Sequence, residues 1–300
     1  LATSSKRQKH PPAFYSFTAF KPGAPLANAF TLVSLIARHG SFSSPVTDFA
    51  LIKKKQLAGL EKFLPPNAIA ERATQRTVTP WRAAAAHIKH SLPGKGGHLQ
   101  ASEKNLFYVR IPKAANTSCA FSILKNNFHD LPANLNATQL NLLTDCWLEK
   151  DVRPELNQQT GFTVVRHPLH RLVSVYRDFF ERRDTGFIYS GYLFDVLKPT
   201  LSFDEFVLRI SRIPDKLKDQ HFRPQHCFLE AYRKGKIPVR VFKLEQPGEL
   251  QNFLSGYGMQ LPHLNRSLQP YVFRSYYSGR TLALARNMYA SDFSLFNYDQ

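Results

Sequence analysis

The stretch Ile111-Pro112-Lys113-Ala114-Ala115-Asn116-Thr117-Ser118 decides how this chain reads. It grows out of Leu106-Phe107-Tyr108-Val109-Arg110-Ile111, an apolar run rich in β-formers that reads as a buried strand. It leads into residues that put Phe121, Leu124 and Phe128 on one helical face, at spacings of three and four. A strand–loop–helix turn aims backbone N–H groups and the positive end of the helix at one point, which suits an anion. The small Ala114 and Ala115 let the backbone approach a phosphate. Lys113 adds a mobile charge, and Asn116, Thr117 and Ser118 add polar groups. Residues 112–118 are therefore candidate phosphate ligands with P-loop logic, although no glycine brackets the lysine. Taken alone, the same stretch is equally an ordinary capped helix start with an exposed lysine.

A second stretch repeats the arrangement. Phe162-Thr163-Val164-Val165 reads as a strand and runs through Arg166-His167-Pro168 into a helix bearing Leu172, Tyr176 and Phe179. Arginine holds phosphate through a planar fork, and a serine hydroxyl can complete such a site. Arg166 at the strand end, with Arg171 and Ser174 on a shared exposed helix face, forms the second candidate set.

Further along, Ser202 and Glu205 form a capping-box signature. Val239-Arg240-Val241-Phe242 reads as a third strand. Pro247 suits the first turn of a helix that Gly256 or Gly258 would close. A last helix is expected from about Ser278 to Tyr289. Strands alternating with helices predict an α/β fold with a mostly parallel central sheet flanked by helices. Ligands of such sheets sit beyond the carboxyl ends of the strands, where both motifs fall.

Residues 1–103 differ in character. They carry Pro and Lys clusters, and short helices are plausible at 46–63 and 80–90. Residues 1–100 hold +11 of the chain's net +18. The division is therefore a basic, partly ordered extension over 1–103, a Gly-rich linker at 94–97, and a second unit over 104–300. The positive balance points to anionic partners. No run approaches about 18 apolar residues; the longest candidate, Phe30 to Ala37, stops at Arg38-His39, so no transmembrane segment is expected. An anchor upstream of Leu1 is left open. Cys119, Cys146 and Cys227 form neither a disulfide framework nor a zinc spacing.

The pair Pro-Lys-x-x-x-Thr-Ser and Arg-x-Pro-x-x-Arg-Leu-x-Ser resembles the 5'-phosphosulfate loop and the 3'-phosphate motif of sulfotransferases. The likeness is to the carbohydrate sulfotransferases of the chondroitin, dermatan and HNK-1 type. Residues 171–180 are similar to their extended second motif. Asp219-Gln220-His221-Phe222-Arg223-Pro224-Gln225 is similar to their His-Trp segment, with Phe222 in place of Trp. Val241-Phe242-Lys243-Leu244-Glu245 resembles their strand ending in Lys-x-Glu, and 288–298 resembles their Tyr-x-x-Asp-Phe-x-x-Phe-x-Tyr ending. The resemblance implies a P-loop-like sulfotransferase fold and 3'-phosphoadenosine 5'-phosphosulfate (PAPS) as sulfuryl donor. It also implies a carbohydrate acceptor, with an acidic glycan among the candidates, and a Golgi membrane setting. Without an anchor in this chain, a cytoplasmic location stays equally open. Neither a metal nor a nucleic-acid partner is expected.

Sulfuryl transfer to an alcohol needs a base for the hydroxyl proton and a positive charge for the departing phosphate oxygen. Lys113 is the candidate for the second role. For the first, His221 is chosen over His129, His167 and His170 because it lies in a Pro-flanked segment between helix and strand, inside a stretch that the resemblance singles out. Asp219 could be the base or could orient His221, and Arg223 could bind an acidic sugar. Two rivals remain at this level. A kinase-like phosphotransferase would want Mg²⁺ and an acidic ligand after a strand, where Arg166 and Glu245 stand instead. A non-catalytic polyanion binder would rely on residues 1–100.

Overall fold

A computed structural model describes residues 60–63, 96–182, 187–189, 192–193, 195–262 and 272–300, all within the compact unit Ser44–Gln300. Four strands form one sheet in the order β1 (His98–Ala101), β2 (Leu106–Val109), β3 (Thr160–Val165) and β4 (Val239–Lys243). β1 and β2 pair as an antiparallel hairpin, while β2, β3 and β4 run parallel. The architecture is α/β, as expected. The two parallel crossovers carry the helices α1 (Asn116–Asn127) and α2 (Ala137–Trp147), then α3 (Pro168–Tyr176) and α4 (Phe203–Ser211). The second crossover also carries the short α5 (Glu230–Lys234), and after β4 come α6 (Pro247–Ser255), α7 (Gly279–Met288) and α8 (Ala290–Leu295).

β2 and β3 are buried on both faces, which is why they read as unbroken apolar runs. Alternate residues serve different layers. Leu106, Tyr108, Phe162 and Val164 pack with Cys119, Ala120 and Ile123 of α1 and with Leu250 and Leu254 of α6. Phe107, Val109 and Val165 pack on the other side with Leu229, Tyr232 and Phe296. A third cluster, rich in aromatics, joins α3 and α4 to α7 and α8 through Leu172, Phe206, Phe222, Tyr289 and Phe293. It fixes the side of the molecule on which His221 stands.

Local signals place the helix ends well. Ser202 and Glu205 form the reciprocal capping box that opens α4. Pro247 occupies the first turn of α6 and Gly256 closes it. Ser278 caps α7, and its box partner is Thr281. Of the two N-terminal helices expected, 80–90 lies outside the described residues, and so does 46–63 apart from Leu60 and a 3₁₀ turn at Glu61–Phe63.

The linker expected at 94–97 is corrected where it is described. Gly97 is buried beside β1, its carbonyl accepting from Arg110 N–H at 2.9 Å. A Cβ there would stand 2.5 Å from the Glu149 carbonyl oxygen, so close packing requires this glycine. The boundary drawn at 103/104 falls in the turn of the β1–β2 hairpin, so the sheet reaches back beyond it.

Candidate functional site

The site begins where β2 ends. Lys113 and Ala115 both adopt left-handed backbone conformations, at φ 67° and 52°. Neither is glycine, so each costs on the order of 1–2 kcal/mol. Such conformations turn successive N–H groups toward one concavity, an arrangement suited to anions. Ala115 is the N-cap of α1 and supplies no capping side chain. Asn116 is engaged elsewhere: its Oδ1 accepts from Arg110 Nε at 3.0 Å, and Arg110 continues to Asp145 at 2.5 Å. Ala114 is fully buried in the core beneath the loop, and Thr117 and Ser118 lie in the first turn of α1.

Lys113 Nζ pairs with Asp178 and lies 5.7 Å from the ring centre of Phe179. Burial lowers the Lys113 pKa, and Asp178 opposes that shift. The like charges of Arg166 and Arg182 lower it further. The cations of the two motifs, far apart in sequence, thus share one electrostatic neighbourhood.

Arg166 stands at the end of β3 and is held by its backbone. Its N–H donates to Gln225 Oε1 at 2.9 Å, and its carbonyl accepts from Gln225 Nε2 at 2.8 Å. Gln225 is itself fully buried and anchored through its N–H to Asp292 Oδ2 at 2.7 Å. Ser174 lies in the second turn of α3, half-buried.

Arg171 corrects the expectation of a shared exposed face. It is 1% exposed, and its guanidinium donates to three backbone carbonyls. Nε reaches Pro112 at 2.9 Å, Nη1 reaches Arg223 at 2.8 Å and Nη2 reaches Gln220 at 2.9 Å. Arg171 therefore ties the lysine loop to the His221 segment from within.

His221 lies against Phe179, with ring centroids 4.8 Å apart, so Lys113 and His221 meet around one aromatic ring. Its Nδ1–H donates to Asp219 Oδ1 at 2.7 Å, and its backbone N–H reaches the same oxygen at 3.0 Å. Burial pushes the Asp219 carboxyl up, but His221 and these hydrogen bonds outweigh it and hold the carboxyl below its usual range. An ionised Asp219 that fixes the proton on Nδ1 leaves Nε2 as the acceptor, the geometry of an oriented general base. Between the two roles considered for Asp219, its hydrogen bonds suit orientation. Arg223 spends Nε and Nη2 on the Lys218 carbonyl, at 3.1 and 2.9 Å, so its guanidinium braces the loop.

Of the other histidines weighed earlier, His129 is exposed just beyond the end of α1, while His167 and His170 have structural surroundings. His167 Nε2 meets the Asp299 carbonyl at 3.2 Å, and His170 packs edge-on against Phe273, its pKa lowered to about 4 by burial and then by Arg166. Glu245 accepts the His167 N–H at 2.8 Å and the Tyr298 hydroxyl at 2.7 Å.

Sequence reasoning assigned no site role to Asp178 or Arg182, and read Phe179 only as part of the apolar face of the second helix. They belong to a π-helical turn, Arg177–Arg182, that continues α3. Wide turns of this kind often occur at functional sites. A helical wheel of period 3.6 misplaces their faces, so the signal available was the position of Asp178 and Phe179 inside the second motif, with Arg182 two residues beyond it. Asp292 and Gln225, which lock the Arg166 backbone, were visible as motif letters without a reason.

A parallel sheet whose first crossover opens on a left-handed lysine loop, with an arginine at the next strand end, defines a P-loop-like α/β group-transfer enzyme. A family model described as the Sulfotransferase family matches residues 98–299, and the chain belongs to that family. It is a sulfotransferase, an enzyme of sulfuryl transfer. No curated protein and no solved structure matches the chain. Among the described residues, no helix is long and apolar enough to cross a membrane.

Proposed function

We propose that this sulfotransferase uses PAPS as donor and a carbohydrate hydroxyl as acceptor, with His221 as base. The observation that carries the reading is the meeting of Lys113 and the Asp219-oriented His221 around the Phe179 ring. PAPS, when bound, supplies an activated sulfuryl group on a phosphate oxygen. The residues fit such a ligand: left-handed backbone at Lys113 and Ala115 suits its 5' end, and the fork of Arg166 with the Ser174 hydroxyl suits a 3'-phosphate.

The roles of the chain's own groups follow from their chemistry. The N–H groups of residues 113–118 and the N-terminus of α1 hold the phosphosulfate end. Lys113 exchanges Asp178 for the ligand and places its ammonium against the oxygen that gains charge as the S–O bond breaks. His221 Nε2 takes the acceptor hydroxyl proton as that oxygen forms its bond to sulfur. Asp219 keeps the imidazole in the acceptor tautomer and stabilises the imidazolium that results.

The test is sulfate transfer from labelled PAPS to a panel of desulfated glycans. Label appearing on a glycan hydroxyl supports the whole reading. Label appearing only on phenols or protein tyrosines keeps the donor half and removes the carbohydrate acceptor.

A further inference from the structure

A second cluster of reactive side chains lies behind the Arg166 clamp. The 3₁₀ turn Gln225–Phe228 and the first residue of α5 bring together His226, Cys227 and Glu230. One ligand atom from each lies within 4.8 Å of the others. We propose that these three residues form a transition-metal site of the zinc type, with water as the fourth ligand. This does not rest on the choice of donor or acceptor.

The geometry carries the argument. His226 Nε2 and Cys227 Sγ are 3.6 Å apart. A tetrahedral zinc has Zn–N near 2.0–2.1 Å and Zn–S near 2.3 Å, which sets the N···S edge at about 3.6 Å. The imidazole is also oriented for the task. Its Nδ1 lies 2.8 Å from Asp292 Oδ1, and Asp292 is fully buried. That carboxylate is further fixed by the backbone N–H groups of Gln225 and His226, at 2.7 and 2.8 Å. Nδ1–H is thus committed to a carboxylate and Nε2 is turned toward the thiol, the outer-sphere pattern that accompanies metal-bound histidine. Glu230 is free to close the remaining distance: its side chain is 53% exposed and its ion pair with Lys234 is 4.0 Å long. One thiolate, one imidazole and one carboxylate select a borderline metal over Mg²⁺ or Ca²⁺.

Binding displaces the thiol proton of Cys227 and the proton on His226 Nε2 to solvent, and no electrons move. The metal would cross-link the turn that contains Gln225, whose side chain grips Arg166, so it would act as a brace behind that arginine.

The rival is a plain, metal-free hydrogen bond between Cys227 and His226. Two experiments on the full chain, first stripped with chelator, separate the two. In the first, Co²⁺ titration gives a thiolate-to-cobalt charge-transfer band saturating at one equivalent. The band is kept in Cys146→Ser and lost in Cys227→Ser. Glu230→Gln weakens the affinity about ten-fold or more. In the second, the wild-type protein is alkylated and the peptides are identified by mass. With Zn²⁺ at ten times its Kd, alkylation of Cys227 slows about ten-fold while that of Cys146 does not. A band that survives Cys227→Ser, no band at all, or Cys227 alkylation indifferent to Zn²⁺ overturns the metal site and leaves the hydrogen bond. The alkylation arm needs no variant, so a misfolded Cys227→Ser does not blunt it.

Discussion

Replacing Arg171 by lysine removes the tie between the lysine loop and the His221 segment while keeping the charge. The guanidinium spans three carbonyls, those of Pro112, Gln220 and Arg223, at 2.8–2.9 Å. A lysine ammonium is one point with three donors, and from that position it can serve one of the three. Two carbonyls then lose a charge-assisted hydrogen bond, each worth about 1.5–3 kcal/mol, for a total of roughly 3–6 kcal/mol. Against a stability of about 5–15 kcal/mol this is a large share. For a domain of this size it corresponds to a fall in melting temperature of roughly 6 °C or more. The catalytic effect should exceed what destabilisation explains, because the Lys113 loop and the His221 segment lose their shared anchor. A misplacement of about 1 Å between reacting groups costs about 10²-fold, so kcat should drop by that order below the melting range. Nucleotide affinity should drop less, since Arg166 hangs on Gln225 and not on Arg171. Calorimetry and steady-state kinetics on Arg171→Lys read both quantities. A variant melting within 2 °C of wild type (well under the range derived above), with unchanged kcat, would refute the reasoning.

His221→Asn should lower the chemical step by about 10²–10⁴-fold while leaving PAPS affinity intact, as measured by single-turnover transfer. If raising the acceptor concentration restores the rate, His221 binds acceptor and is not the base. Arg166→Ala should weaken binding of 3'-phosphoadenosine 5'-phosphate by about 1.5–3 kcal/mol and binding of AMP far less, by calorimetric titration. Equal losses for both nucleotides would remove the 3'-phosphate contact. The pKa of His226 is raised to about 10, first by its hydrogen bond to Asp292 and next by Cys227, against the opposing effect of burial. A group whose pKa rises on folding contributes stability that is complete below its unfolded value and is lost as pH climbs through the folded one. In the presence of chelator, the stability difference between wild type and His226→Gln should therefore be largest below about pH 6.5 and shrink toward pH 10. A difference that is flat in denaturant titrations across that window would contradict the Asp292 pairing.

The signals carried by neighbouring residues were legible in the sequence. The strand–loop–helix character of 106–128, the Ser202–Glu205 box and the Pro247–Gly256 helix depend on side chains within a few positions of one another, and each was found where the pattern put it. The parallel sheet followed from the alternation of such units. The short strand β1 and the helix α2, with its Asn136–Gln139 capping box, were not anticipated. Four residues of His-Leu-Gln-Ala carry little pattern, and β1 exists because β2 supplies its partners. What only the tertiary structure decided is which polar residues are spent on holding the frame and which stand apart from it. Arg171 and Arg166 look alike in sequence, each an arginine beside a helix start. The carbonyls that bury Arg171 come from 49, 52 and 59 residues away, and the glutamine that seats Arg166 from 59. Helical periodicity reports one stripe of a helix, whereas α3 is enclosed by the lysine loop, the His221 segment and the C-terminal helices together. A charge becomes a brace or a ligand according to that enclosure, and the enclosure is a property of the packed chain.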